Sequence, residues 1–333
     1  MPHNAINHPS EFAPTIDDVR AAYERIRTKV RRTPLLRNER LDDLVGGSVF
    51  LKAETFQTTG SFKFRGAMNR ILRFTDEQRK AGIVAWSSGN HALALSYAAS
   101  RQGVAATILM PQEAPRTKID GVRKNGCTVR LYDKTKETRE EIGAEIAART
   151  GAVIVPPYDD PDIIVGQGTV GLEVVEQAHE SGVELDHVLV SCSGGGLVSG
   201  VAVAVSGLSP KTAVYSVEPA DFDDMARSLA AGQPEKNDPS AKSICDALLV
   251  PTPGQYTFPL CSRLLAGGLS VTDAEVIEAI RFAYGELKMV VEPGGAVTLA
   301  AVLSGKIDVK GKNTAVILSG GNVDADKFAS YIA

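Results

Sequence analysis

A lysine stands between two phenylalanines in the stretch TTGSFKFRG, residues 58–66. Burial disfavours an ammonium, so Lys63 in this company would carry a lowered pKa. A desolvated amine of that kind is a nucleophile, a base or a Schiff-base former. The plainer reading is a lysine whose apolar stem snorkels at a helix start. Three more stretches hold groups suited to binding. SCSGGGLVSG (191–200) follows the apolar run HVLV, and its glycines would let backbone N–H groups close on an anion, phosphate foremost, at a helix N-terminus. The spacing is not GxGxxG, because Ser199 stands where Gly or Ala is needed, and no Gly-Lys-Ser/Thr follows as in a Walker A loop. Nucleotide binding is therefore poorly supported, and a tight strand-to-helix connection is the alternative. SSGNHALAL (87–95) sets hydroxyl and backbone donors between a strand and a helix, where a carboxylate would bind. It serves equally as a capped helix start. LSGGNVD (318–324) would leave the Ser319 hydroxyl free at a strand end, although in isolation a simple turn suffices.

These stretches need elements to hold them. SVFLKAE, GIVAW, AATILM, TVRLY, AVIVP, HVLVS, AVYSVE and TAVILS are short strand candidates, several of them apolar runs without alternation, as in strands buried on both faces. Ala-rich segments of helical length follow several of them. ETREEIGAEIAARTG places Ile142 and Ile146 on one helix face and ends at Gly151. The repeated units predict an α/β fold with mainly parallel sheets. The strands are too many for one small unit, so two domains are expected, with VPPYDDPD (155–162) as the hinge. AAGQPEKNDPSAK (230–242) reads as an exposed loop.

The bulk composition excludes several classes. A net charge of −4 argues against a nucleic-acid binder. Four cysteines without CxxC spacing and histidines without HExxH exclude a disulfide framework and structural zinc. The N-terminal MPHNAINHPSEF lacks a basic-then-apolar signal, and no apolar run of about 18 residues occurs. A cytoplasmic protein that does not engage a membrane is expected.

The motifs GSFKFRGA, SSGNHALALSYAA, GQGTVGLEV, SGGGLVSG, EPGGAVTLAA and SGGNVD stand in one order over roughly residues 30–325. In that order the chain resembles the fold-type II pyridoxal-phosphate (PLP) enzymes, specifically the serine/threonine dehydratase and serine racemase family. The resemblance implies an α/β, tryptophan synthase β-like, two-domain fold of mainly parallel twisted sheets flanked by helices. It implies a large PLP-binding domain, residues 1–81 and 159–333, and a small mobile domain, 82–158, that carries the substrate loop. Lys63 would hold PLP as a Schiff base with Phe62 beside it, and Asn90 would meet the 3-hydroxyl. Ser193, Gly194, Gly195, Gly196 and Leu197 would form the phosphate cup, with Ser193 where many relatives have a glycine. Ser319 would face the pyridine nitrogen. A neutral serine there leaves the ring a weaker electron sink than an aspartate would, which favours prompt β-elimination.

By the same resemblance, Ser87, Ser88, Gly89, Asn90 and His91 receive the substrate carboxylate. Ser88 occupies the position that delivers a proton opposite the lysine in racemising relatives, so it is catalytic alongside Lys63. Arg139 either reaches the far end of the substrate, where a guanidinium suits a second carboxylate, or lies on the helix surface with Glu140. Glu218, the Phe222 carbonyl and Asp224 match a structural divalent-cation site, such as one for magnesium, or form an acidic solvated loop. The reaction implied is deaminating dehydration of L-threonine to 2-oxobutanoate, or of L-serine to pyruvate, with release of ammonia. Dehydration of 3-hydroxyaspartate and racemisation of serine are the alternatives within the family. A non-catalytic PLP-binding sensor is the alternative outside it, and intact Lys63, Ser88 and Ser319 argue against that. The chain ends soon after SGGNVD, which implies a catabolic homodimer without an added regulatory domain.

Overall fold

The computed structural model describes residues 9–114 and 116–333. Ten strands form among the described residues: β1 (Leu35–Arg37), β2 (Ser48–Ala53), β3 (Ile83–Trp86), β4 (Ala106–Pro111), β5 (Thr128–Tyr132), β6 (Val153–Ile154), β7 (His187–Ser191), β8 (Ala213–Pro219), β9 (Gly267–Val271) and β10 (Asn313–Leu318). They make a six-stranded sheet, β1-β2-β10-β7-β8-β9, and a four-stranded sheet, β5-β4-β3-β6. Every pairing is parallel except β1 with β2.

The apolar runs lack alternation because both faces of the large sheet are covered. Along β2, Val49, Leu51 and Ala53 enter one core, while Phe50 enters the other. Along β10, Val316 and Leu318 divide from Ala315 and Ile317 in the same way. The helices Asp273–Gly285 and Pro293–Leu303 cover the first face. Pro161–Glu180 and Gly196–Leu208 cover the second. The latter two approach so closely that a Cβ on Gly200 would lie 2.3 Å from the Ile164 carbonyl oxygen, so only glycine fits there.

In the small sheet, Ile83, Ala85, Ile108 and Met110 pack on the helix Asn90–Arg101, and Val84 and Leu109 pack toward Arg139–Thr150. Gly151 closes the latter helix at φ 75°, with Ile142 and Ile146 on its inner face. The helix Lys63–Leu72 joins the two parts of the molecule. Its Phe64, Met68 and Ile71 enter the core beneath the small sheet. Its Gly66 lies against Gln167 and Ile163 of the helix Pro161–Glu180.

The first turn of that joining helix is fixed by a buried ionic group. Arg65 donates to Glu54 through Nε at 2.8 Å and Nη2 at 2.7 Å. It donates to Glu173 through Nη1 and Nη2, both at 2.8 Å. Lys52 Nζ reaches Glu173 at 2.7 Å, the Thr33 carbonyl at 2.7 Å and Gln177 Oε1 at 2.8 Å. Burial opposes ionisation of Glu54, but the Arg65 guanidinium outweighs it and holds the carboxyl below its ordinary range. The four side chains are fully buried and their charges cancel.

Candidate functional site

A cavity of about 500 Å³ opens where the carboxyl ends of the strands in both sheets converge. This is where open α/β sheets place ligands. The segments after β3, β7 and β10 reach it through Ser87–Asn90, Ser193–Gly196 and Ser319. The stretches that carry candidate chemistry are thus brought to one space from positions far apart in the chain.

Lys63 is the first residue of its helix, and its side chain enters the cavity. Nζ donates to the Pro157 carbonyl at 2.7 Å and lies 5.1 Å from the centre of the Phe62 ring. Desolvation alone lowers the amine to about 8. The segment before it is tied to the end of β10: the Phe62 amide donates to the Ser319 carbonyl at 3.0 Å, and Ser61 bridges Gly320. The spacing between Lys63 and Ser319 is therefore set by backbone.

Across the cavity, Gly195 takes φ 94° and caps the helix Gly196–Leu208. A Cβ on Gly194 would lie 2.2 Å from the Tyr158 ring, and one on Gly196 would lie 2.8 Å from Tyr158 Cβ. Thr257 Oγ1 donates to the Gly194 carbonyl at 2.5 Å, and a Cβ on Gly195 would collide with Thr257 at 2.8 Å. The loop is thus bare backbone by necessity, clamped between Tyr158 and Thr257. Ser193 and Leu197 both line the cavity, Leu197 with most of its side chain buried in the core. Free N–H groups at the start of a 13-residue helix suit a phosphate.

On the small-sheet side, Ser87 Oγ accepts from the Gly89 amide at 3.2 Å, and Ser88 and Gly89 line the cavity. His91 is buried at 3% exposure, with Nε2 at 3.1 Å from the Val155 carbonyl. Burial and the nearby Lys63 lower its ring to about 3, so it is neutral. That nitrogen is engaged with the fold, and the residue also lines the cavity. Asn90 is held at both ends of its amide. Its Nδ2 donates to Glu292 Oε1 at 2.7 Å, and its Oδ1 accepts from Asn322 Nδ2 at 2.8 Å. Glu292 sits in the quoted EPGGAV motif, yet nothing in the sequence pairs it with a residue 202 positions away. Tyr158, Glu292, Asn322 and Thr257 are the site residues that the motifs did not single out.

Arg139 lines the cavity, and its Nε donates to Glu140 at 2.7 Å with the side chain 48% exposed. Glu218, Phe222 and Asp224 lie apart from the cavity lining. Glu218 accepts from the Met225 and Ala226 amides at 3.0 and 2.8 Å. Asp224 accepts from Asn237 Nδ2 at 2.6 Å, and its other oxygen is buried without a partner among the described residues. Burial and the adjacent Asp224 raise Glu218, and burial raises Asp224 to about 6. Among the described residues, no group of three or more His, Cys, Asp or Glu side chains gathers as a metal centre. All four cysteines are free and buried. No helix among the described residues is long and apolar enough to cross a membrane.

A neutralisable amine, an anion cup of bare backbone and a fixed amide around one cavity fit PLP. Two mainly parallel sheets with this site between them match the architecture expected of a fold-type II PLP enzyme. Comparison with known proteins agrees: residues 26–320 match the family described as "Pyridoxal-phosphate dependent enzyme". The chain is 42% identical to L-threo-3-hydroxyaspartate ammonia-lyase of a Pseudomonas species, over 95% of this chain and 97% of that one. It is 41% identical to serine racemase of Arabidopsis thaliana, over 94% of this chain and 95% of that one. Among solved structures, a threonine deaminase from T.th. superposes with a TM-score of 0.89 at 41% identity, covering 93% of this chain and 99% of that chain. The chain belongs to the PLP-dependent enzymes, in the group that holds the ammonia-lyases and serine racemases.

Proposed function

We propose that this enzyme deaminates a β-hydroxy amino acid by eliminating its β-hydroxyl as water, after which water adds back and releases ammonia and a 2-oxo acid, with 3-hydroxyaspartate as the favoured substrate. The observation that carries the dicarboxylic preference is Arg139, a cation lining the cavity in addition to Lys63 and Lys118, whose hydrogen-bonded acid, Glu140, is itself half-exposed. Such a weak exposed pair exchanges partners readily. The resemblance to L-threo-3-hydroxyaspartate ammonia-lyase supports this reading. Threonine and serine come second, on the likeness to threonine deaminase.

In this reading Lys63, Phe62, Asn90, Ser193–Leu197 and Ser319 hold PLP, which supplies an electron sink for charge developing at the substrate Cα. Ser87, Ser88, Gly89 and the amides that open the helix Asn90–Arg101 bind the α-carboxylate. Lys63, lowered to about 8 and therefore increasingly a free amine as the pH approaches and passes that value, takes the Cα proton on one face. Ser88 holds a hydroxyl toward the other face. Ser319, an alcohol, leaves the pyridine nitrogen without a counter-charge. Residues 82–158 move as a unit on the 155–162 hinge, and Tyr158 keeps contact with the cup.

Arg139→Ala tests the substrate assignment. A charge-assisted pair contributes about 1.5–3 kcal/mol, so kcat/KM for 3-hydroxyaspartate is expected to fall about 10- to 100-fold. The values for threonine and serine should change by no more than about threefold, because neither has a second carboxylate to lose. Release of 2-oxo acid from the substrates run in parallel measures this. Equal losses on all of them would remove Arg139 from substrate recognition.

A hard cation at Glu218, the Phe222 carbonyl and Asp224 belongs to the same proposal, motivated by the unpartnered Asp224 oxygen. Millimolar magnesium should raise the melting temperature of the wild type and leave Asp224→Asn unmoved. An equal rise in both proteins would reject the site.

A further inference from the structure

Glu292 is a buried acid without a salt-bridged cation among the described residues. It is 4% exposed, lines the cavity and precedes the helix Pro293–Leu303 as its N-cap residue, without capping it through the side chain. The cation that influences it, Lys118, is instead paired with Asp246 at 3.5 Å. Room for the carboxyl is made by the absence of a side chain at residue 320, where a Cβ would lie 2.0 Å from Glu292 Oε1. That oxygen is committed to Asn90. Asn322 fixes the other end of the Asn90 amide and is itself anchored on the Thr59 carbonyl at 2.8 Å. The result is a hydrogen-bonded line, Asn322 to Asn90 to Glu292. It crosses from the loop after β10, through the start of the small-sheet helix, to the start of another large-sheet helix. An amide nitrogen carries two protons. Glu292 takes one, which leaves the other for a ligand in the cavity.

We propose that Glu292 is a positioning residue that acts through Asn90 on the bound cofactor, so that the electronic state of PLP changes as Glu292 gains or loses its proton. As a carboxylate it is the stronger acceptor, holds the Asn90 amide tightly and places a negative charge beside the ring. As a carboxylic acid it removes that charge and loosens its hold on the amide. The inference rests on the placement of PLP against Lys63 and Asn90 proposed above.

Burial raises the Glu292 carboxyl to about 7, Asp246 pushes it the same way, and the Asn90 hydrogen bond and Lys118 oppose. The groups that face it are therefore Asn90 from the helix Asn90–Arg101, Lys118 from the helix Arg116–Lys124, Asp246 from the segment Asp246–Leu248 and the thiol of Cys245 just before it, which burial pushes up to about 12 and so keeps neutral, with Lys63 sharing the cavity. The proton is held below the midpoint and released above it.

The test is a titration of the visible absorbance and circular dichroism of the holoenzyme from about pH 5.5 to 8.5, the range in which such an acid would change state. The wild type is expected to show one transition near neutrality, and Glu292→Gln to show none while it keeps its cofactor. Lys118→Met removes an opposing cation and should move the midpoint up. Asp246→Asn removes a like charge and should move it down. These two substitutions lie outside the hydrogen-bonded line, so they decide the matter even if Glu292→Gln does not fold. A flat wild type, a Glu292→Gln protein that titrates like the wild type, or midpoints indifferent to Lys118 and Asp246 would each overturn the proposal. A Lys63→Ala protein that keeps the wild-type visible band would instead show that the cofactor placement is at fault.

Discussion

Lys63→Ala is expected to abolish turnover, with a fall of at least about a thousandfold, and to remove the visible absorbance band of the purified protein. The loss is large because one amine has two tasks here, covalent attachment and proton transfer, and each alone contributes a factor of about 10² or more. The fold should survive. The Lys63 side chain donates to the Pro157 carbonyl and takes no part in the ionic group beneath it. The amine should also betray its environment before any turnover. Schiff-base formation requires the neutral amine, and desolvation has brought it to about 8. Reconstitution of apoenzyme with PLP should therefore quicken as pH rises toward 8 and level off above it. Stopped-flow absorbance measures this. A rate still climbing steeply beyond about pH 10, as for an ordinary lysine, would mean the amine is solvated.

Arg65→Met is expected to be the most destabilising single change in this part of the molecule, by about 3–5 kcal/mol. Its guanidinium makes four hydrogen bonds to Glu54 and Glu173 at 2.7–2.8 Å. Methionine fills the volume but leaves two buried carboxylates against Lys52 alone. Charge, more than packing, sets the cost, and this gives the prediction a second limb. Adding Glu54→Gln restores neutrality and should recover part of the stability, although another hydrogen-bonding partner has been altered. Urea unfolding of the single and double variants measures both limbs. A double variant less stable than Arg65→Met would show that the hydrogen bonds matter and the charge balance does not. Lys63 lies two residues before Arg65 on the same helix, so the Met variant should also hold its cofactor less firmly.

The sequence made some of this architecture legible and hid the rest for identifiable reasons. The eight runs lie in β2–β8 and β10; the strands of the large sheet among them are buried on both faces and leave continuous apolar signals, while β5 alternates between exposed and half-buried residues. β1 and β9 leave none. β1 is a three-residue antiparallel edge in PLLRN, too short and too polar for any period. β9 begins Gly-Gly and is only half-buried, so it carries no apolar run. The site divides along the same line. Lys63, Asn90, Ser319 and the glycine loop are legible because each sits in a local motif. Tyr158 and Thr257 clamp the loop from distant segments, and Glu292 meets Asn90 only after folding. No local pattern records such encounters. His91 shows the opposite limit: it stands inside a binding motif, yet its ring faces the Val155 carbonyl.

The cavity is assembled from halves that stand on separate hydrophobic cores. The anion loop and Ser319 extend from the large sheet, while Ser87–Asn90 and Arg139 belong to the small one. Backbone supplies most of the first half, and side chains near Arg139 and Ser88 shape the second. On the proposed reading, side chains near Arg139 and Ser88 can vary without altering the glycine loop, although Asn90 ties the second half to the cofactor as well. Relatives that share 38–42% of this sequence accordingly carry the names of an ammonia-lyase and of a racemase. For enzyme engineering, the substrate wall is the place to seek new specificities. The loop 194–196, where no side chain fits, offers no variants to select from.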